Sequence, residues 1–179
     1  MSIHEIVLPI TKPETEWILG RAVQKVSGFR TDAILRGSFG AALLKWAAGS
    51  GVVATNWRFR IAPPGEIRRP LAPDISYVSR ERLRDLEGDD LELPPFAPDV
   101  AVEILLPGWR RSHLEHKIGV YLAGGSQLVI VVDPAAREVR LHDADGERTV
   151  RGDEPIAHAA LPGFSLSLPA LFGVLERPR

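Results

Sequence analysis

Residues 96–134 read FAPDVAVEILLPGWRRSHLEHKIGVYLAGGSQLVIVVDP. The run divides into a strand, a helix and a second strand. Residues 100–106 are almost wholly apolar, as in a strand covered on both faces. Glu103 nevertheless sits in their middle. Asp99 and Glu103 are an even number of residues apart, so their side chains leave the same face. A carboxylate in a covered strand is costly unless a cation meets it. Two cations are candidates: a metal ion, and Lys117 on the following helix. Ser112-His113-Leu114-Glu115 matches a capping box, which predicts a helix starting near Ser112; Gly124 and Gly125 should stop it. Leu114, Ile118, Tyr121 and Leu122 form its apolar stripe, with Lys117 on the border and its stem running along the core. The connection over 106–127 is long enough for a crossover between parallel strands.

Working outward, residues 73–78 (PDISYV) read as a short strand carrying Asp74. Residues 52–61 (VVATNWRFRI) read as one strand, and 31–48 as a helix ended by Gly49 and Gly51. Residues 16–27 have the pattern of a hairpin about Gly20. The polar connection over 79–95 has room for one or two helical turns. Residues 138–142 and 148–151 bracket the hairpin signal Asp143-Ala144-Asp145-Gly146, and the apolar tail over 161–172 should pack back on the core. No repeat or linker divides the chain, which reads as one domain over 1–179, with 1–15 and 174–179 loosely ordered.

Bulk properties are those of an ordinary globular protein: 45% apolar, 25% charged, formal net charge -1. Such a balance carries no basic footprint, so nucleic-acid binding would need a locally basic groove. With no cysteine, disulfides, thiolate zinc sites and cysteine nucleophiles are excluded. No apolar run approaches the ~20 residues of a membrane span, and the N-terminus lacks the pattern of a secretory signal. The expected setting is the cytoplasm, away from membranes.

The carboxylates point to metal-assisted hydrolysis of a phosphodiester. Mg²⁺, with Mn²⁺ as substitute, keeps several waters and takes one or two protein carboxylates. Asp74 and Glu103 on adjacent strands would supply these, and the Ile104 carbonyl a further oxygen. The ion would polarise the phosphate and acidify a bound water. Lys117 would orient that water or stabilise developing negative charge, and Glu16 would add a further acid. The bland alternatives are a structural Glu103–Lys117 ion pair, a turn role for Asp74 and a strand-start cap at Asp99. Trp109, Arg110 and Arg111 follow the Glu103 strand; they would stack on a base and contact phosphates, or merely pack on the helix. Arg58, Arg60, Arg68 and Arg69 are candidates for a DNA groove. His113 and His116 read as a solvated face.

These residues also carry a resemblance. Glu16-Trp17-Ile18-Leu19-Gly20, Pro73-Asp74-Ile75, the run Pro98-Asp99-Val100-Ala101-Val102-Glu103-Ile104-Leu105, Lys117-Ile118-Gly119-Val120-Tyr121, residues 128–134 and Leu161-Pro162-Gly163-Phe164 stand in a familiar order. The chain resembles the Uma-type family of bacterial proteins classed as restriction endonucleases, within the PD-(D/E)xK nuclease superfamily. The resemblance implies an α/β, restriction-endonuclease-like fold: an αβββαβ core and a mixed sheet flanked by helices, with N-terminal and C-terminal hairpins added. It implies Asp74 and Glu103 as metal-binding acids, Glu16 as an extra site acid, and Lys117 in place of the lysine that the superfamily usually carries two residues after the second acid, where this chain has Leu105. It implies an Mg²⁺-dependent endonuclease hydrolysing DNA, acting as a homodimer if two strands are cut. The chain departs from the family at Leu106, where relatives carry Ser, at Arg30-Thr31, where they often carry His, and in lacking an aromatic pair before residue 128. Those departures keep a second expectation open, a catalytically silent nuclease fold serving as a binding or assembly module. A third is a metal-free hydrolase using Asp74 and Glu103 as acid and base.

Overall fold

A computed structural model describes residues 4–176; residues 1–3 and 177–179, the outer ends of the two segments expected to be loosely ordered, lie outside the described residues. The chain forms β1 (Thr15–Ile18) and β2 (Arg21–Gln24), then α1 (Arg30–Ala47), β3 (Gly51–Thr55), β4 (Phe59–Ile61), β5 (Arg69–Leu71) and β6 (Ile75–Ser79). Two short helices follow, α2 (Arg80–Leu83) and α3 (Gly88–Glu92), then β7 (Val100–Ile104), α4 (Arg111–Ala123) and β8 (Leu128–Asp133). The remainder is β9 (Glu138–Asp143), β10 (Gly146–Val150), β11 (Pro155–Ile156), β12 (Leu166–Ser167) and α5 (Leu168–Gly173).

Six strands make the main sheet in the order β10-β9-β8-β7-β6-β3. Only β7 and β8 are parallel, joined by the crossover helix α4. The succession α1-β3-β6-β7-α4-β8 is the expected αβββαβ core, into which the β4–β5 ribbon and α2–α3 are inserted. The architecture is a mixed α/β sheet flanked by helices, with the β1–β2 hairpin before the core and the β9–β10 hairpin after it, the latter extending the main sheet.

Alternation along the strands divides the core in two. Ile75, Val100, Val102, Ile104, Ile130 and Val132 belong to the larger cluster, with Leu35, Phe39 and Leu43 of α1 and Leu171 and Phe172 of α5. Val78, Ala101 and Val129 belong to the other, with Val120 and Tyr121 of α4, Ile18 of the hairpin and Phe59, Ile61 and Leu71 of the ribbon. Glu103 shares the parity of Ala101, so it points into the layer beneath α4 and the hairpin.

Two local readings are corrected. The strand expected over 52–61 is broken at 56–58, so that β3 lies in the main sheet and β4 in a separate ribbon. Asn56 takes a positive φ of 51°, and the Arg58 guanidinium turns inward to the Leu8, Pro9 and Thr15 carbonyls and the Glu14 carboxylate. A period-two pattern persists through such a break, because both strands alternate. The capping box at Ser112 is not used: α4 starts at Arg111 with Arg110 as an N-cap that makes no side-chain bond. The buried face of Leu114, Lys117, Val120 and Tyr121 sets where the helix lies, and Lys117 is in the middle of that face rather than on its border.

The close of α4 is tight. A Cβ at Gly124 would stand 2.4 Å from Ile61 Cγ2 and 2.8 Å from the Val120 carbonyl oxygen, whereas one at Gly119 meets nothing within 4 Å. Gly124→Ala should therefore destabilise the protein by about 1–3 kcal/mol through overpacking. Gly119→Ala should stabilise it by up to about 1 kcal/mol through helix propensity. Urea unfolding of the two variants tests the pair; equal effects would contradict the packing described.

Candidate active site

The register of β6 against β7 pairs Ile75 with Val102. One step further, Asp74 and Glu103 stand across from each other. The Ile104 N–H donates to Asp74 Oδ2 at 2.7 Å and fixes that carboxylate. Glu103 Oε1 accepts from Tyr121 Oη at 2.9 Å and meets Lys117 Nζ at 2.7 Å. Tyr121 and Lys117 are one helical turn apart on α4, so one helix face delivers both donors. Glu103 Oε2 is buried and has no hydrogen-bond partner.

The hairpin closes the layer. Its two-residue turn, Leu19-Gly20, has positive φ at both positions (49° and 78°), as a tight turn between twisted strands requires. Glu16 on β1 is buried. Its Oε1 accepts from the Ala72 N–H at 2.8 Å and meets Lys117 Nζ at the same 2.8 Å. Lys117 thus bridges Glu16 and Glu103 and is fully buried. All four residues expected in the site, Glu16, Asp74, Glu103 and Lys117, are brought together, with the Ile104 backbone against Asp74.

The sequence reading missed three charged neighbours. Lys25 Nζ lies 2.8 Å from Asp74 Oδ1 and donates to the Ala72 carbonyl at 2.7 Å. Arg36 of α1 reaches the same Asp74 oxygen at 3.3 Å and pairs with Asp32 at 2.5 Å. A signal for Lys25 existed. Glu16 pairs across the hairpin with Val23, and Lys25 is two residues beyond Val23, hence on the same face. Arg36 comes from the opposite side of the sheet, and no local pattern announces it.

Of the other candidates, Asp99, Arg58, Arg60 and Arg69 are engaged elsewhere, while Trp109 and Arg110 stay close to the site. Asp99 accepts from the Ser79 N–H at 2.7 Å and from Arg82 at 2.9 Å, a structural role at the sheet's end. Arg58 is buried in the bonds already described, Arg60 pairs with Glu5 and Asp90, and Arg69 with Glu66. Trp109 is half-buried with Lys117 Nζ 5.3 Å from its ring centroid, so it packs over the lysine. Between hairpin and β7–α4 loop opens a cavity of about 330 Å³, lined by Glu16, Arg21, Lys25, Trp109, Arg110 and His113.

Four carboxyl groups (Glu16, Asp32, Asp74, Glu103) and three cations (Lys25, Arg36, Lys117) share this volume. Fully ionised, the set would carry one net negative charge. Burial pushes the Glu103 carboxyl up to about 7, against the pull of Lys117 and Lys25. Asp74 is moved the other way: burial raises it, but Lys25, Lys117 and the Ile104 N–H outweigh burial and hold it below the ordinary value. Burial and the adjacent Glu103 push the Tyr121 hydroxyl well above its usual range, so it acts as a donor. Lys25 is held more basic than usual: burial opposes its charge, but Asp74, Glu103 and Glu16 prevail.

Among the described residues, no three His, Cys, Asp or Glu side chains are grouped as a ready metal cage. The donors present suit a hard ion that takes few protein ligands: two facing carboxylates, one with a buried oxygen left over.

The displaced Glu103 carboxyl has a consequence for stability. In metal-free buffer between about pH 4.5 and 7, the folded chain keeps a proton at Glu103 that the unfolded chain has released, so this group's contribution falls as pH rises. Glu103→Gln removes that decline. The melting temperature of the variant relative to wild type should rise steadily from pH 4.5 to 7. A difference independent of pH would show that Glu103 is ionised throughout.

The comparisons agree with this architecture. A crystal structure described as "a putative nuclease belonging to DUF820 from Anabaena variabilis ATCC 29413" superposes with a TM-score of 0.83 at 21% identity, over 94% of this chain and 95% of that one. At that identity the likeness speaks to the fold. No curated protein matches the sequence. The family model Uma2, described as "Putative restriction endonuclease", matches residues 7–169, which include every residue of the charged cluster. The chain belongs to the Uma2 family.

Proposed function

We propose that the protein is a divalent-metal-dependent endonuclease that hydrolyses DNA phosphodiesters at the Asp74–Glu103 pair. The observation that carries this reading is Glu103 itself: fully buried in mid-strand, across from Asp74, with Oε2 left without a partner. A carboxylate kept only for a structural ion pair has no need of a free oxygen in a dry interior, where an unmet acceptor costs about 1–3 kcal/mol. A coordinating carboxylate does need one. Family membership supports the nuclease class, and the family's description supports DNA.

Asp74 and Glu103 would hold the ion, with the Ile104 carbonyl as a third oxygen. Bound there, a divalent ion would polarise the phosphate and lower the pKa of a water. The chain's own groups do the rest. The Ile104 N–H and the Tyr121 hydroxyl orient the two carboxylates. Lys117 carries a positive charge between Glu16 and Glu103, where it offsets negative charge developing on the phosphate. Arg21 and Arg110, both exposed at the mouth of the cavity, supply phosphate contacts. No described helix is long and apolar enough to cross a membrane. A homodimer would set two such sites on opposite strands.

One observation favours the second reading, a silent binding or assembly module. Lys117 contacts Glu103 directly at 2.7 Å and Lys25 contacts Asp74 at 2.8 Å, so lysines satisfy part of the charge a metal would meet.

Cleavage assays on plasmid and oligonucleotide DNA with Mg²⁺ or Mn²⁺ separate the two. Asp74→Ala and Glu103→Ala should abolish metal-dependent cleavage. Lys117→Met should reduce it by about 10²-fold or more. It should also cost about 3–5 kcal/mol of stability, because two buried carboxylates lose their partner. Wild-type rates in these variants would remove the site assignment. A wild-type protein inert with every metal and DNA form would favour the silent module.

A further inference from the structure

Both oxygens of the Asp74 carboxylate are already occupied, and by groups of this chain. Oδ2 is tied to the Ile104 N–H at 2.7 Å. Oδ1 is met by Lys25 Nζ at 2.8 Å, with Arg36 further off at 3.3 Å. The Lys25 ammonium also takes the Ala72 carbonyl at 2.7 Å, and its side chain is 3% exposed. It therefore has an anionic oxygen and a carbonyl oxygen as partners, the oxygen chemistry that a small hard cation takes. Across from it, Glu103 Oε2 has no partner.

We propose that Lys25 is a resident cation in the metal position of this site, and that its departure from Asp74 is the condition for a divalent ion to bind. The inference rests on the reading of Asp74 and Glu103 as metal ligands and names the residue that sets their affinity.

Three features support it. Lys25 is not needed to cover the core: it follows β2, at the open end of the hairpin, and its backbone is held by the Glu14 carbonyl at 2.8 Å. Lys25 and Glu16 both line the cavity of about 330 Å³ between the hairpin and the β7–α4 loop, which gives the ammonium somewhere to go. That cavity's rim carries Arg21 and Arg110, so an anionic backbone drawn to the rim would offer Lys25 a replacement for Asp74. The charge count agrees. With every group ionised, a divalent ion added beside Lys25, Arg36 and Lys117 would turn the cluster from one negative charge to one positive, whereas exchange for Lys25 would leave it neutral. When the competent state is a minor one, apparent affinity falls by its population. Lys25 thus makes the site weak for metal until it is displaced.

The test is Mn²⁺ binding by isothermal titration, with melting temperature as a second readout, for wild type, Lys25→Met and Lys25→Met combined with Glu103→Ala. Lys25→Met should bind Mn²⁺ about tenfold or more tighter than wild type. Without metal it should melt below wild type and regain stability as Mn²⁺ is added, a linkage that a packing role for Lys25 would not produce. Adding Glu103→Ala should abolish the gain. Lys25→Gln, which keeps a donor for the Ala72 carbonyl, serves if the methionine variant fails to fold. Equal affinities in wild type and Lys25→Met would overturn the inference and leave the metal site standing. No binding by either would overturn the metal reading and the inference with it.

Discussion

A charged group in the interior must find its counter-charge there, and this protein is built around the consequence. Glu103 lies within β7, with strands on both sides and helices on both faces. Its position requires α4 to present Lys117 and Tyr121 inward. It requires β1 to bring Glu16 to the same ammonium, and the residue just before β6, Asp74, to stand opposite. Each element adjacent to the cluster contributes a bond to it. Removing one partner of such a set leaves the other buried and unmet, which is why the cluster holds four elements in fixed relation.

Charge rather than packing also links the two halves of the molecule. α1 covers the far face of the sheet with Leu35, Phe39 and Leu43, but its Arg36 reaches Asp74. The hairpin, otherwise held by Ile18 and its partners, delivers both an acid and a base to the cluster. The resulting network has one unmet buried carboxylate oxygen, on Glu103, and two of its members, Glu16 and Lys25, line the cavity that opens between the hairpin and the β7–α4 loop. Interior strain of this electrostatic kind marks functional sites more often than cores, since cores can be made neutral with apolar residues at no loss.

Much of this was legible in the sequence. An acid in an otherwise apolar strand is a conflict between local pattern and burial, and such conflicts are visible in a string of letters. The same holds for the strand-helix-strand unit over 96–134, whose flanking glycines and periodicities agree with each other, and for the parallel β7–β8 pair that follows from its crossover. What failed was information that is not local. The break at Asn56 was hidden because β3 and β4 alternate in the same way on either side of it. The start of α4 was set by where its buried face docks, not by the serine that could have capped it. Lys117 looked like a border residue because a lysine counts as polar in any hydrophobic pattern, although it is wholly buried. Lys25 and Arg36 approach Asp74 from 49 and 38 residues away, and only the fold brings them there.

As proposed, Asp74 and Glu103 hold a divalent cation rather than form one end of a permanent ion-pair network. Anomalous scattering from wild-type crystals soaked in Mn²⁺ addresses it most directly. If the two acids bind metal, a peak stands within about 2.0–2.6 Å of oxygens of both Asp74 and Glu103, with Lys25 withdrawn from Asp74. A map without that peak at millimolar Mn²⁺, with Lys25 still on Asp74 and Lys117 still on Glu103, would contradict it.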